Sequence, residues 1–298
     1  MSPRGPHKMR LVANQVTRLI CRRYATTFGI YPLIEYPKCG GTWLCRMLAD
    51  TMQLPFAQFS SLPVAMPSIV HGHWGYHKGY KNVTFLMRDG RDVMVSFYFH
   101  YARDYKNPRH AYARKAFTHL YGDSPDLSDV RANLPRFIEH LSKDPVGAPA
   151  DWSTYHDRWT DKPGVVYTRY EALRADCVAE MTRIAGEHGF SPEPWRVERA
   201  VEGNSMERTA GRKPGQEDRS SFIRKGVVGD WKNHFSEDSL RVFAELCGQT
   251  LVRLGYEDSP DWRDWDATPG RDPHAGPDAE PDGPGDTPAT PEHSEATP

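Results

Sequence analysis

Short apolar runs alternate along this chain with longer segments of helical periodicity. The run from Gly29 to Ile34 reads as a buried strand, followed by a tight glycine loop and a helix starting near Trp43. A second strand ends at His71, and a third, Asn82 to Met87 (NVTFLM), ends at Arg88. Val93, Val95, Phe97 and Tyr98 then fit a buried helix that continues through Tyr105. Gly164 to Thr168 (GVVYT) supplies a further strand, with a helix from about Glu171 to His188 behind it and a last helix over roughly Glu237 to Leu254. Strands and helices in this alternation predict an α/β fold, a single domain with a parallel sheet flanked by helices. No internal repeat interrupts the pattern.

The first strand–loop–helix carries the most chemistry. Tyr36-Pro37-Lys38-Cys39-Gly40-Gly41-Thr42-Trp43 aims backbone N–H groups and a helix N-terminus at one point, which makes an anion site. Lys38 adds a full charge and Thr42 a hydroxyl. A nucleotide-triphosphate loop would place its lysine after the glycines; here it precedes them, and no Gly-x4-Gly-Lys-Ser/Thr occurs elsewhere. An ordinary strand-to-helix turn with a solvated lysine fits the same letters. Arg88, at the C-terminal end of the third strand, lies where open α/β sheets place ligands, and Ser96 is two helical turns further on. A guanidinium with a hydroxyl suits a phosphate monoester; a surface Arg88–Asp92 ion pair holding the turn is the plainer alternative. The third segment, Phe222 to Lys232 (FIRKGVVGDWK), puts two cations before a glycine that lets backbone approach a ligand closely.

Taken together, these three segments resemble the sulfotransferases that use 3′-phosphoadenosine 5′-phosphosulfate (PAPS), of the soluble type that modifies alcohols, phenols or amines. The resemblance runs over residues 36 to 235 and leaves out the two ends. It implies a P-loop-like sulfotransferase fold, PAPS as co-substrate and no metal. By resemblance, Lys38 contacts the 5′-phosphosulfate and the leaving bridging oxygen, Gly40, Gly41 and Thr42 wrap the 5′-phosphate, and Trp43 stacks on adenine. Arg88, Ser96, Arg224, Lys225 and Gly226 hold the 3′-phosphate, Tyr170 sits near the adenine, and Ser205 and Met206 line the nucleotide. His73, in Val70-His71-Gly72-His73, falls where the family keeps its catalytic histidine. The chain departs from the family at Cys39, commonly Ser or Ala, at Gly41, often Thr, and at His71 and Gly72, often a basic residue and Thr.

Sulfuryl transfer needs in-line geometry and a stabilised leaving group, with little covalent work for the protein. A neutral imidazole can take the acceptor's proton, a contribution of about 10²–10⁴-fold. A competing constellation is a metal-dependent hydrolase built on His71, His73 and His77, although the usual neighbouring ligands are missing at Gly75 and Tyr76. A non-catalytic nucleotide-binding module on the same fold is a second alternative, and a kinase on that fold, weakened by the missing Gly-x4-Gly-Lys-Ser/Thr loop, is a third.

Charge changes the picture in one respect. From Asp261 onward ten acidic residues face two basic ones, a net of −8, so a chain of net −1 has a body of +7. A basic body suits a ligand with several negative charges. Nucleic acid is not expected, because the cations cluster at glycine turns and not along an aromatic stripe; a small-molecule acceptor is the expected partner, and nothing sets an oligomeric state. Five cysteines without a Cys-x-x-Cys pair argue against a disulfide framework and for a cytoplasmic setting. Cys39, in an electropositive loop at a helix start, is expected to be acidic and reactive. No stretch reaches the ~20 apolar residues of a membrane span. The domain reading is a basic segment over 1–27, a sulfotransferase domain over 28–258 and a disordered acidic, Pro-rich tail over 259–298. For the acceptor, Phe56, Phe59, Trp74, Tyr76, Tyr98, Tyr101 and Tyr105 are candidate pocket walls, and 107–151 reads as a lid or an inserted helix pair.

Overall fold

The computed structural model describes residues 4–58, 60–107, 110–259 and 262. Phe59 and nearly all of the acidic segment from 259 on lie outside them. Helix α1 (Arg4–Phe28) buries Ala13, Thr17, Cys21 and Ala25, a spacing of four that lays one stripe against the domain. Next come β1 (Ile30–Glu35), α2 (Gly41–Met52), β2 (Ser68–Gly72), β3 (Val83–Met87) and α3 (Gly90–Tyr105). The middle of the chain holds α4 (Ala111–Tyr121), α5 (Val130–Lys143), α6 (Trp152–Trp159) and β4 (Val165–Arg169). Helices α7 (Tyr170–Ala175), α8 (Cys177–Glu187), α9 (Pro194–Gly203) and α10 (Met206–Ala210) follow, then a 3₁₀ turn (Asp230–Asn233) and α11 (Glu237–Arg253).

The four strands form one parallel sheet in the order β2-β1-β3-β4. Every residue of β3 is buried, as expected of a strand covered on both faces. Ile34 pairs with Gly72 and Met87 with Arg169, so all four strands end at one edge, from which the loops that carry the candidate chemistry depart. Carboxylate caps start several helices: Asp89 accepts from the Arg91 amide at 2.9 Å, Asp151 from Thr154 at 3.0 Å and Asp176 from Ala179 at 2.9 Å.

One element reading changes, and one open reading falls on the helix-pair alternative. The single helix expected over 171–188 is two, because Asp176 adopts extended backbone (φ −147°, ψ 91°) and caps the second one. Segment 107–151 holds the pair α4 and α5, both packed on α3. Phe117, Leu134 and Phe137 are fully buried, and the rings of Tyr98 and Tyr101 pack against Phe117 and Phe137. Those two tyrosines therefore belong to a helical core. Trp74 is buried in a stack that runs through Tyr80 and Trp159 to Phe85.

Candidate active site

The loop after β1 is set by left-handed backbone at two points. Lys38 has φ 78°, unusual for a residue with a side chain, and Gly40, which caps α2, has φ 107°. A Cβ on Gly40 would also come within 3.1 Å of the Tyr170 ring, so the loop needs glycine there twice over. Trp43 donates its indole N–H to the Asn204 carbonyl at 2.9 Å and meets Tyr170 edge-on at 6.0 Å. Asn204 in turn donates to Asp50 at 2.8 Å, fastening α9 to α2.

Arg88 stands just past β3 and reaches across to the other loops. Its guanidinium donates to the Lys38 carbonyl at 3.2 Å and the Val227 carbonyl at 3.3 Å, and lies 4.3 Å from the Tyr170 ring centre. The Arg88–Asp92 pair exists at 3.7 Å, but Asp92 is buried and Arg88 half-buried, so it is not a surface pair. Asp92 also accepts from the amides of Gly229 at 2.8 Å and Trp231 at 2.9 Å, which pins the C-terminal motif to α3. In that motif Lys225 donates to Asp230 at 2.6 Å, and Arg224 pairs with both Asp230 and Glu217. Burial opposes ionisation of Asp230, yet hydrogen bonding from His234 and the charges of Arg224 and Lys225 hold its carboxyl well below the usual range.

These loops enclose a cavity of about 720 Å³. Lys38, Gly40, Gly41, Thr42, Trp43, Arg88, Ser96, Tyr170, Ser205, Met206, Arg224, Lys225 and Gly226 all line it, residues drawn from six separate stretches of chain. Gly226 has φ 67°, and a Cβ there would meet the Met206 sulfur at 2.9 Å, so these two fit as a unit. Partial burial, with Arg103 and Arg88 nearby, lowers the Lys38 ammonium to about 8. Its Nζ lies 4.3 Å from the ring centre of Phe222.

Although Glu35 lines this cavity, His73 is not among the residues that do. Its Nδ1 lies 3.0 Å from the Glu35 main-chain oxygen, an acceptor only, so Nδ1 carries the proton and Nε2 of the neutral ring is left with its lone pair. Burial pushes the His73 pKa down, which favours that neutral form. Tyr155 donates to the same Glu35 oxygen at 2.9 Å and to the Trp74 carbonyl at 2.9 Å, so α6 braces the strand ends beside the histidine. His71 is committed elsewhere: its Nε2 lies 3.0 Å from the Glu35 carboxylate. His77 does not join the other two; it is exposed and accepts from the Gly79 amide at 3.0 Å. The group whose ligand atoms all lie within 4.8 Å of one another is Glu35, His71 and His73.

Cys39 reverses its expectation. Its side chain is fully buried, and burial, with Glu35 close by, pushes the thiol pKa well above the ordinary value. Positive charge in the loop does not overcome that, so the thiol is neither acidic nor accessible. All five cysteines are free.

Glu35, Asp92, Asn204 and Asp230 carry the site's hydrogen-bond framework; sequence pattern named Asp92 only as a surface partner of Arg88 and Asp230 only as part of the third segment, and it missed Glu35 and Asn204. One signal existed for Glu35, a lone carboxylate closing an otherwise apolar strand. The departure at Gly41 also acquires a cause: a Cβ there would lie 2.5 Å from Glu35 Cδ and 2.6 Å from His71 Nε2. At Gly72 a Cβ would meet the Trp74 ring at 2.6 Å.

Comparison with known proteins bears on the family and the fold. The model of the sulfotransferase domain family matches residues 77–255, a span that holds Arg88 and the Arg224 motif, while Lys38 and His73 precede it. The chain is similar to sulfotransferase 6B1 of Mus musculus, 27% identical over 260 residues, covering 76% of this chain and 79% of that one. Sulfotransferase 1E1 of Homo sapiens is 24% identical over 169 residues, covering 52% of this chain and 49% of that one. Among solved structures, mouse sulfotransferase SULT7A1 complexed with PAP superimposes with a TM-score of 0.56 at 18% identity, covering 78% of this chain and 87% of that one. Retinol dehydratase in complex with androsterone and inactive cofactor PAP gives 0.52 at 15% identity, covering 75% and 80%.

Proposed function

The chain belongs to the sulfotransferase domain family, and from that premise we propose that it moves a sulfuryl group from PAPS to a hydroxyl or amine of a small-molecule acceptor. The observation that carries this reading is that all three anion-type motifs line one cavity of about 720 Å³. Its volume suits a nucleotide, its rim offers Lys38, Arg88, Arg224 and Lys225, and Trp43 and Tyr170 give it aromatic walls. The PAP in the complexes of the two structural relatives supports the same donor.

In this reading His73 Nε2 takes the acceptor's proton as the acceptor oxygen bonds to sulfur. The bond from sulfur to the 5′-phosphate oxygen breaks, and its electron pair stays on that phosphate, leaving adenosine 3′,5′-bisphosphate. Lys38 and the loop amides neutralise the growing charge; loss of one such donor costs about 10²–10³ in rate. Arg88, Ser96, Arg224, Lys225 and Gly226 anchor the 3′-phosphate, and the Asp230 ion pairs hold two of those cations in place before the ligand arrives. The five free cysteines support a reducing, cytoplasmic setting, and among the described residues no helix is long and apolar enough to cross a membrane.

The test is a thermal-shift comparison of adenosine 3′,5′-bisphosphate, ATP and zinc, followed by activity with PAPS across phenols, alcohols and amines. The bisphosphate at ~100 times its dissociation constant should add about 2.7 kcal/mol of stability. Lys38→Ala and His73→Ala should each lower turnover at least roughly tenfold with the fold intact. Stabilisation by ATP or zinc alone would overturn the reading.

A further inference from the structure

Glu35 ends β1 as a charged residue only 3% exposed, and four groups converge on it. Its main-chain oxygen receives His73 Nδ1 at 3.0 Å and the Tyr155 hydroxyl at 2.9 Å. Its carboxylate spans two elements: one oxygen accepts the Gly41 amide, the first residue of α2, at 2.5 Å, and the other lies 3.0 Å from His71 Nε2. The His71 and His73 rings meet edge-on at 4.8 Å. Gly41 has no side chain to intrude, and any Cβ there would strike both Glu35 and His71. Glu35, Gly41 and His71 are thus a matched set.

We propose that Glu35 is a positioning residue for sulfuryl transfer: its main chain aims the base, and its carboxylate, lodged between His71 and the Gly41 amide, places a fixed negative charge between that base and the phosphate loop. This rests on His73 being the base. The charge acts in two opposed directions. It stabilises the imidazolium that forms when His73 takes a proton, and it repels a phosphate brought to the Gly41 amide. The other groups facing His73 are His71 from β2, Lys38 from the loop and Tyr155 from α6, and among these Glu35 alone brings a carboxylate.

Glu35→Gln keeps the shape and an acceptor for the Gly41 amide while removing the charge. Turnover should fall at least fivefold, and the acid limb of the kcat/KM profile should move to lower pH, because protonated His73 loses its stabilising neighbour. Adenosine 3′,5′-bisphosphate should bind at least threefold more tightly by calorimetry. Damage of a merely structural kind would weaken the nucleotide instead. Weaker binding, or unchanged turnover and profile, overturns the proposal. A second series needs no activity at all. Gly41→Ala should weaken bisphosphate binding at least tenfold, and Glu35→Ala added to it should recover at least threefold of that; purely additive losses also overturn the matched set. Full turnover in His73→Ala would end the base reading instead, and leaves both binding tests standing.

Discussion

Lys38 shows how much one residue's setting decides. The loop forces it to φ 78°, and partial burial beside Arg103 and Arg88 brings its ammonium from 10.5 to about 8. An anionic ligand favours the charged form, so the free protein holds Lys38 ready below pH 8 and must reprotonate it to bind above that value. Bisphosphate affinity should therefore be flat below pH 8 and fall by up to about tenfold for each further pH unit. Calorimetry at pH 7.0 and 9.5 checks this, with Lys38→Arg, which stays protonated, as the flat reference. An equal slope in both proteins would remove Lys38 as the source. The lysine's place before the glycines is a fact of the sequence, whereas Cys39 next to it is buried and not the acidic thiol its loop suggests. Charge in a loop is visible in letters; the burial that outweighs it is made by Glu35 and the packed interior.

Among the elements, α3 does more than carry Ser96. Asp92, in its first turn, accepts the Gly229 and Trp231 amides from a stretch about 139 residues later in the chain, and so sets where Arg224 and Lys225 stand. Asp92→Ala leaves those two amides and Arg88 without their buried partner, which should cost about 3–5 kcal/mol by urea denaturation. At concentrations of urea that leave the variant folded, bisphosphate affinity should fall as well, since the C-terminal motif loses its tether. A stable variant with normal affinity would show that the motif is held by other contacts. Apolar alternation made the four strands and the helices α2, α3 and α11 legible, while α6, α9 and α10 were not read from it. The split at Asp176 depended on a cap competing with helix continuation, and the role of α4 and α5 depended on which rings they bury, Phe117 and Phe137 against Tyr98 and Tyr101.

Over the whole molecule, a body of net +7 offsets a terminal stretch of net −8 from Asp261 on. The cations at the cavity already have partners in the protein, as Arg224 and Lys225 do in Asp230, so the ligand meets a field that is local and partly neutralised. Salt screens what remains, with a Debye length of about 8 Å at physiological ionic strength. Bisphosphate binding should weaken at least roughly tenfold between 20 and 300 mM NaCl; a flat response would mean that the paired cations do not engage the phosphates.

The sequence by itself determined the parallel α/β order, the glycine loop behind Lys38 and the three basic segments. Each of these is a local fact: the strand period, the left-handed backbone that glycine permits, the charge on a side chain. Only the tertiary structure decided that His71 is held by Glu35 while His73 is aimed through its main chain, that Cys39 is sealed, and that Asp92 ties residue 229 to α3. Burial and hydrogen-bond partners come from residues far apart in the chain, and in a low-dielectric interior those partners fix which groups are charged and where they point.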